Sequence, residues 1–354
     1  MLADPHAIAR DVVADIYPPR AKMLVDVWCE THRTMATAGA SGARPGRWDT
    51  GLTPYLRAIF RNLPDPKIHE ITVQKSSQVG FSELLIGGVL HLVGESRQPG
   101  MVGYPTQDEA RDFNRKRLIP ALHACDKTAA LVASARDTTD TEIRLGGVPL
   151  WFAWAHSKKT FKSDPCGVIY LDEIDEYPPG GAILSNARDR QRTFTERKLI
   201  KGSTPEEGET PGFIVSEYES AAHRYRFCVP CPITGEFFEI FDFKHLRWEG
   251  GRDADPDEAA RRCWLQSPFV RASGDSAAGK IDERHKPWMV RNGVWLRQGE
   301  EIETSDRWAE WIETGTGTPI PDLSTIDGDD LRESSRAGRY ARVLAAAGPS
   351  ERSR

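Results

Sequence analysis

The chain has 354 residues, enough for one large domain or two ordinary ones. Its net charge of −5 excludes a strongly basic nucleic-acid binder, so any contact with nucleic acid must come from local basic patches. Six cysteines do not form a dense disulfide framework in a chain of this length, and no apolar run is long enough to span a membrane. We therefore expect a reduced, intracellular protein without a signal peptide or membrane segment.

The predicted elements alternate between helices and strands over most of the chain. Residues 1 to about 40 have apolar residues at helical spacing, and residues 53–63 predict a short amphipathic helix with Thr53 as its N-cap. Helices are also predicted at 82–93 and from Thr106 onward. The first predicted strand ends at residue 73. Four further strands are predicted at 100–104, 148–155, 167–173 and 197–205. This alternation predicts an α/β fold with a mainly parallel sheet and a site at the strand ends.

Composition divides the chain into four regions. We predict an N-terminal helical segment at residues 1–66 and the α/β domain at 67–222. Residues 223–300, with cysteines, aromatic residues and turns, predict a small β-rich, zinc-ribbon-like appendage. Residues 301–354 are rich in Gly, Pro, Ser, Asp and Arg, so we expect a weakly structured tail.

The stretch VQKSSQVGFSE, at residues 73–83, joins the first predicted strand to the next helix. A strand, a turn of exposed backbone N–H groups and a helix N-terminus together form a phosphate-binding arrangement. The usual pattern is G-x-x-x-x-G-K-[ST], but here Lys75 takes the place of the first glycine and Phe81 that of the lysine. A lysine at the start of the loop can still reach the phosphates, and Ser82 supplies a hydroxyl for magnesium. The alternative is a polar turn before a buried helix.

Two carboxylates end the fourth predicted strand, in GVIYLDEIDEYP. Asp172 beside a phosphate loop can hold magnesium, and Glu173 can orient and deprotonate a water that attacks the γ-phosphate. The alternative is a strand that ends at an acidic solvent-exposed face. The loop at residues 73–83 comes first along the chain and the acidic strand end follows it, with strands and helices between. We call these the two half-motifs of a nucleotide site, and their order favours the magnesium site. We assign Asp175 and Glu176 to the turn that follows.

The fifth predicted strand ends in KGSTP, at residues 201–205. Ser203 and Thr204 at this tip can hydrogen-bond the catalytic acid and sense the γ-phosphate. The alternative is a simple turn, because Ser, Thr and Pro are common in loops.

The helix after the second predicted strand is basic. Arg111, Arg115 and Arg117 are candidate contacts to DNA phosphates. A solvated charged helix face is the alternative.

A zinc ribbon needs two C-x-x-C pairs, and the appendage has one, Cys228 and Cys231. Cys263 stands apart, with Gln266 where its partner would be. We list these three cysteines as candidate zinc ligands but expect unpaired structural cysteines rather than an intact zinc site.

Taken together, several stretches resemble the large terminase subunit of tailed bacteriophages, of the lambda-like type. They are GRWDTGLTPYLRAIF, VQKSSQVGFSE, YPTQDEARDF, VIYLDEIDEYP, GSTP and YRFCVPCPITGEFFEIF, between about Trp28 and Trp295. That family often has its loop lysine first, as K-S-x-Q-x-G-x-[ST], which this chain matches from Lys75 to Ser82. The resemblance implies a P-loop NTPase fold of RecA-like (ASCE) type.

The resemblance also implies a function. It predicts an ATPase motor that uses ATP and Mg²⁺ to thread viral double-stranded DNA into a procapsid. The implied partners are the small terminase subunit, the portal and further copies of the chain, in the cytoplasm of the bacterial host.

Individual roles carry over from the resemblance. Asp172 and Ser82 become magnesium ligands, Glu173 the catalytic base, and Ser203 with Thr204 the motif that couples hydrolysis to DNA movement. The implied ATP contacts are Lys75, Ser76, Ser77, Gln78, Val79, Gly80, Phe81, Ser82 and Tyr55, the last of these to adenine.

Two features depart from the family. Thr234 stands where the family usually has a cysteine, in CPxCG, which puts zinc binding in question. The family continues into a ribonuclease H-type nuclease domain, and the last stretch, from about Gly315, matches nothing in it, so we expect no endonuclease activity and a truncated, frameshifted or split gene. The alternatives to a packaging motor are a DExD-type helicase or translocase and a prophage remnant that binds DNA or the small subunit.

Overall fold

The computed structural model describes residues 23–35, 46–132, 138–157, 160–162, 164–206, 210–239, 245–250, 254–270, 279–299 and 341–347. Its helices are α1 (Val25–His32), α2 (Pro54–Asn62), α3 (Phe81–Gly88), α4 (Gln107–Phe113), α5 (Ile119–Ala124), α6 (Ala182–Arg190), α7 (Ile214–Glu219), α8 (Pro256–Arg261) and α9 (Lys286–Arg291). Its strands are β1 (Thr34–Met35), β2 (Gly46–Arg47), β3 (Glu70–Lys75), β4 (Gly100–Tyr104), β5 (Glu142–Leu145), β6 (Val148–Trp154), β7 (Val168–Asp172), β8 (Lys198–Ser203), β9 (Tyr225–Pro230), β10 (Phe237–Phe238), β11 (Leu246–Trp248), β12 (Cys263–Gln266), β13 (Lys280–Ile281), β14 (Val294–Arg297) and β15 (Ala341–Ala347).

The central sheet has seven strands in the order β15-β3-β8-β7-β4-β6-β5. The neighbours from β3 to β6 pair in parallel, and an antiparallel strand lies at each edge. The five predicted strands are all confirmed as the parallel part of this sheet. Because β8 lies between β3 and β7, the three strand ends that carry the predicted site motifs are neighbours.

The sheet is covered on both faces, and β7 shows this most clearly. Every residue of β7 is buried, as in the parallel strands of α/β proteins. Val168 and Tyr170 belong to one hydrophobic cluster, which also contains side chains of α2 and α3. Ile169 and Leu171 belong to a second cluster, with side chains of α6 and α7. The alternation follows the two-residue period of a strand.

The helix boundaries follow local signals to different degrees. α4 begins as predicted, because Thr106 and Glu109 form a reciprocal capping box. α2 also begins as predicted, but Thr53 makes no side-chain capping hydrogen bond. Beyond its α-helical part, α3 continues as π-helical turns through Val89–Glu95. No helix within the described residues is long and apolar enough to cross a membrane.

The predicted N-terminal helix is wrong at its end. In the described residues the helix stops at His32, and Thr34–Met35 forms a short antiparallel pair with Gly46–Arg47. The remainder of that predicted helix, in residues 1–22 and 36–40, lies outside the described residues.

The appendage is β-rich, as predicted. It contains two three-stranded sheets, β10-β9-β14 and β11-β12-β13, with antiparallel pairing throughout. Phe227 of β9 and Trp295 of β14 join the same hydrophobic cluster as α2, so the appendage packs on the α/β domain.

The predicted weakly structured tail contains one strand. β15 pairs with β3 in antiparallel register, from Ala341 opposite Lys75 to Ala347 opposite Glu70. The prediction is therefore wrong for these residues, because pairing with β3 satisfies their backbone hydrogen bonds. Residues 301–340 and 348–354 lie outside the described residues.

The capping box of α4 can be tested by substitution. Thr106→Ala removes the acceptor of the Glu109 N–H group, so we expect the free energy of unfolding to fall by about 1 kcal/mol. Thr106→Ser keeps the hydroxyl and should stay close to wild type. Urea unfolding measures both variants, and equal stability of Thr106→Ala and wild type would contradict the cap.

Candidate functional site

The loop after β3 has the backbone of a phosphate-binding turn. Gln78 and Gly80 both have positive φ, at 61° and 83°, so the chain reverses tightly before α3 begins. A side chain on Gly80 would add a Cβ at 3.2 Å from Leu56 Cδ1 as well as strain the backbone. The loop thus joins a buried strand to the N-terminus of a helix, the arrangement that binds anions.

Phe81, in the position of the usual lysine, is part of the core. Its side chain is buried, and it packs against Gly202 of β8, where an added Cβ would lie 2.4 Å from the ring. The ammonium of Lys75 lies 5.4 Å from the centroid of the same ring. The Phe81 ring therefore packs against the ammonium of the displaced lysine. It does not take over the phosphate contact of the usual lysine.

Lys75 contacts both acids at the end of β7. Its Nζ lies 2.5 Å from Glu173 Oε1 and 3.5 Å from Asp172 Oδ1. Lys75 and Asp172 are buried, whereas the Glu173 side chain is 34% exposed and so reachable from solvent. The structure thus joins the two half-motifs that the sequence separates by almost a hundred residues.

Asp172 lies among buried polar groups. Burial raises the pKa of its carboxyl to about 6, and the Lys75 charge opposes part of that rise. The pKa values of Tyr104 and Tyr177 are raised by burial first and by the Asp172 charge second. Their hydroxyls and that of Ser76 are buried and have no hydrogen-bond partner among the described residues. Orphan hydroxyls beside a raised-pKa carboxyl are typical of a ligand site.

Glu173 is held in an unusual conformation by the tip of β8. It has left-handed backbone angles, φ 51° and ψ 53°, which are costly for a non-glycine residue and typical of functional sites. Its Oε2 atom accepts hydrogen bonds from the Ser203 hydroxyl at 3.4 Å and from the Thr204 N–H group at 3.2 Å. The candidate base is therefore in contact with both residues of the predicted coupling motif.

The remaining loop residues differ in exposure. Val79 is buried, Ser82 and Ser76 are half-buried, and Ser77 is exposed. Their proposed contacts to ATP and magnesium stay predictions.

Tyr55 lies away from solvent. It is 3% exposed, and its ring packs edge-on against Phe227 at 5.8 Å between centroids. Its carbonyl accepts a hydrogen bond from the indole of Trp295 at 2.9 Å. These contacts give Tyr55 a role in joining α2 to the appendage, and they do not support the predicted adenine contact.

The three predicted DNA contacts do not share one environment. Arg111 of α4 is half-buried, and Arg115, in the π-helical turns that follow α4, is exposed. Both pair with Asp140, at 3.2 and 2.6 Å. Arg117 instead turns toward α3, with its Nη2 atom 2.6 Å from Glu83 Oε1. DNA contact by these residues stays a prediction.

The structure does not confirm the zinc-ribbon part of the predicted fold class. Within the described residues, no group of three or more His, Cys, Asp or Glu side chains is placed to hold a metal ion. Cys231 is buried, with its Sγ atom 3.3 Å from Ser267 Oγ, and burial raises the pKa of the Cys228 thiol to about 11. Cys263 is exposed on β12.

Sequence reasoning missed two residues that organise the site. Glu83, next to Ser82, is clamped between Arg33 and Arg117. Asp175, assigned from sequence to a simple turn, accepts hydrogen bonds from two distant backbone N–H groups. The acidic spacing of DEID offered a signal for Asp175, but no local pattern identifies a partner 39 residues away.

The raised pKa of Asp172 predicts a stability effect. The folded chain binds this proton more tightly than the unfolded chain, so ionisation at neutral pH costs roughly 2–3 kcal/mol. Asp172→Asn should therefore stabilise the chain at pH 7, and the gain should shrink as pH falls toward 4. Urea unfolding across this range measures it. Asp189→Asn, in an exposed ion pair with Arg192, is the control, and a gain independent of pH would contradict the assignment.

Known proteins are similar to this chain in sequence. Residues 42–295 match the family model described as phage terminase large subunit gpA, ATPase domain. The large terminase subunit of Enterobacteria phage P21 is 24% identical over 311 residues, which cover 83% of this chain and 46% of that protein. The large terminase subunit of Escherichia phage lambda is 26% identical over 283 residues, which cover 75% and 43%. The chain thus spans less than half the length of these relatives.

Two solved structures are also similar. The large terminase of bacteriophage HK97 has a TM-score of 0.42 at 16% identity, over 55% of this chain and 39% of that one. The large terminase ATPase domain of Thermus phage P74-26 has a TM-score of 0.33 at 16% identity, over 49% and 70%. The family match covers most of the chain, including every strand from β2 to β13. The chain therefore belongs to the phage terminase large subunit gpA ATPase-domain family, and its mainly parallel central sheet is the α/β architecture that the sequence predicted.

Proposed function

We propose that this chain is the ATP-hydrolysing motor module of a terminase that packages viral double-stranded DNA into a procapsid. The observation that carries the proposal is the position of Lys75, whose ammonium contacts both Asp172 and Glu173. A phosphate loop, a buried acid and an accessible acid lie together at the carboxyl ends of the parallel strands. These are the parts that phosphoryl transfer requires.

Lys75 would have two successive partners. In this structure its ammonium pairs with Glu173, which keeps that carboxylate from acting as a base. The γ-phosphate of ATP would compete for the same ammonium, because a polyanion attracts it more strongly than one carboxylate does. The Glu173 carboxylate would then be released to orient and deprotonate the attacking water.

The residues present fit a magnesium ion. Mg²⁺ binds in such sites through one or two carboxylates and the substrate phosphates, and it keeps several waters. Asp172 offers a buried carboxylate, and the orphan hydroxyls of Ser76, Tyr104 and Tyr177 offer hydrogen bonds to such waters. Asp172 and Ser82 would hold the ion, which neutralises charge on the phosphates when bound.

Ser203 and Thr204 are placed to report the state of Glu173. Both contact its Oε2 atom, so a change of partner at Oε1 would reach the tip of β8 directly. We assign to this contact the coupling between hydrolysis and DNA movement.

The partners follow from the family and from the proposed activity. A packaging motor acts on DNA with the small terminase subunit, the portal and further copies of itself, in the cytoplasm of the host. Arg111 and Arg115, which both pair with Asp140, would exchange it for DNA phosphates.

Replacing the displaced lysine tests the proposal most directly. Lys75→Ala should lower ATP turnover by at least about a hundredfold, because the γ-phosphate loses its preorganised cation. Phosphate release by the purified chain, with and without DNA, measures this. Lys67→Ala, on an exposed lysine before β3, is the matched control and should behave as wild type. Normal turnover in Lys75→Ala would remove the relocated lysine from the mechanism.

The catalytic base has a different signature. Glu173→Gln keeps the side-chain shape and should bind ATP with near wild-type affinity, yet lose nearly all turnover. Fluorescent-nucleotide binding and phosphate release separate the two effects. Glu176→Gln, an exposed glutamate in the same turn, should retain turnover. Turnover in Glu173→Gln close to wild type would rule out Glu173 as the base.

A further inference from the structure

Asp175 is a buried carboxylate that accepts hydrogen bonds from two backbone N–H groups. It is 5% exposed. Its Oδ1 atom accepts a hydrogen bond from the Ile214 N–H group at 2.6 Å, and its Oδ2 atom accepts one from the Glu206 N–H group at 3.1 Å. A buried carboxylate is costly unless hydrogen bonds compensate it, so both contacts are important for its placement.

The same residue is tied to the candidate base through Ser203. The Asp175 N–H group donates to Ser203 Oγ at 3.2 Å, and that hydroxyl contacts Glu173 Oε2 at 3.4 Å. Asp175 therefore holds residues 203–206 at both ends, at Ser203 by its backbone and at Glu206 by its side chain. The segment between them contains Thr204, whose N–H group also contacts Glu173.

α7 is held at two points. Asp175 binds the N–H group of Ile214, the first residue of the helix. Further along, Glu217 pairs with Lys201 of β8 and, at 2.6 Å, with Arg188 of α6. The chain then enters β9 of the appendage after only a short connection. A displacement of residues 203–206 would thus be transmitted to α7 and toward the appendage.

We propose that Asp175 is a positioning residue that holds the tip of β8 against Glu173 and links that tip to α7. This inference rests on the proposed ATPase function and adds to it the connection by which the site acts on the appendage. Asp175 does not touch the substrate. Its effect on catalysis comes from the placement of Ser203 and Thr204.

The first test changes the carboxylate alone. Asp175→Asn keeps the shape but replaces one carboxylate oxygen with an NH2 group, which cannot accept a hydrogen bond from the N–H donor that faces it. In the full chain kcat for ATP should fall by about tenfold to a hundredfold, as expected for a displaced catalytic contact. KM for ATP should stay within about twofold, because the phosphate loop is untouched. Glu176→Gln removes a neighbouring negative charge without these contacts and should keep the wild-type kcat.

A second pair of variants removes a donor and leaves Asp175 intact. The Glu206 side chain is exposed, and Glu206→Pro deletes the N–H group that donates to Asp175 Oδ2. Glu206→Ala deletes the same side chain but keeps the N–H group. We expect kcat to fall in Glu206→Pro and not in Glu206→Ala, whether or not Asp175→Asn folds well enough to be assayed.

The outcomes separate this inference from the proposed function. Turnover in wild type that is lost in Lys75→Ala, with wild-type kcat in both Asp175→Asn and Glu206→Pro, overturns only the role of Asp175. An equal loss of kcat in Glu206→Pro and Glu206→Ala also overturns it. So does a rise in KM with kcat unchanged. Absence of ATP turnover in the wild-type chain would remove the ATPase proposal and this inference together.

Discussion

The contact of one ammonium group with two adjacent carboxylates is the interaction on which the rest of the site depends. β3 and β7 are not neighbours, because β8 lies between them, so Lys75 must cross a strand to reach Asp172 and Glu173. Two strand spacings amount to about 10 Å, a distance that the lysine and the acidic side chains bridge together from the ends of their strands. The order of the strands therefore constrains the position of the lysine at the start of the loop.

Other carboxylates of the domain differ from Asp172, because cationic partners compensate their charge. Burial alone would raise the pKa values of Glu70, Glu83 and Glu217, but their arginine and lysine partners hold them below the ordinary range. These carboxylates are compensated and connect elements of the fold. In Asp172, by contrast, burial prevails over Lys75 and the pKa rises, and burial raises the pKa of Asp175 as well. An undercompensated acid at the strand ends distinguishes a site from a structural ion pair.

The sequence predicted the parallel strands, the loop and the convergence of its motifs, because buried strands and strand-end polar residues leave local patterns. It missed β5, although Gly146 and Gly147, both with positive φ, are a typical hairpin turn before β6. It could not predict the partners of Asp175 or the burial of Tyr55 against the appendage. Those depend on contacts between distant segments, for which no short pattern exists.

The packing of Phe81 on Gly202 has a consequence for how such a loop can change during evolution. Returning a lysine to position 81 would remove the ring that fills the space over β8, and a larger residue at 202 would collide with that ring. A chain that moved its cation in either direction must alter position 75, position 81 and the strand beneath them together. The displaced lysine is thus tied to the packing beneath it, because the ring at position 81 and the glycine at position 202 depend on each other.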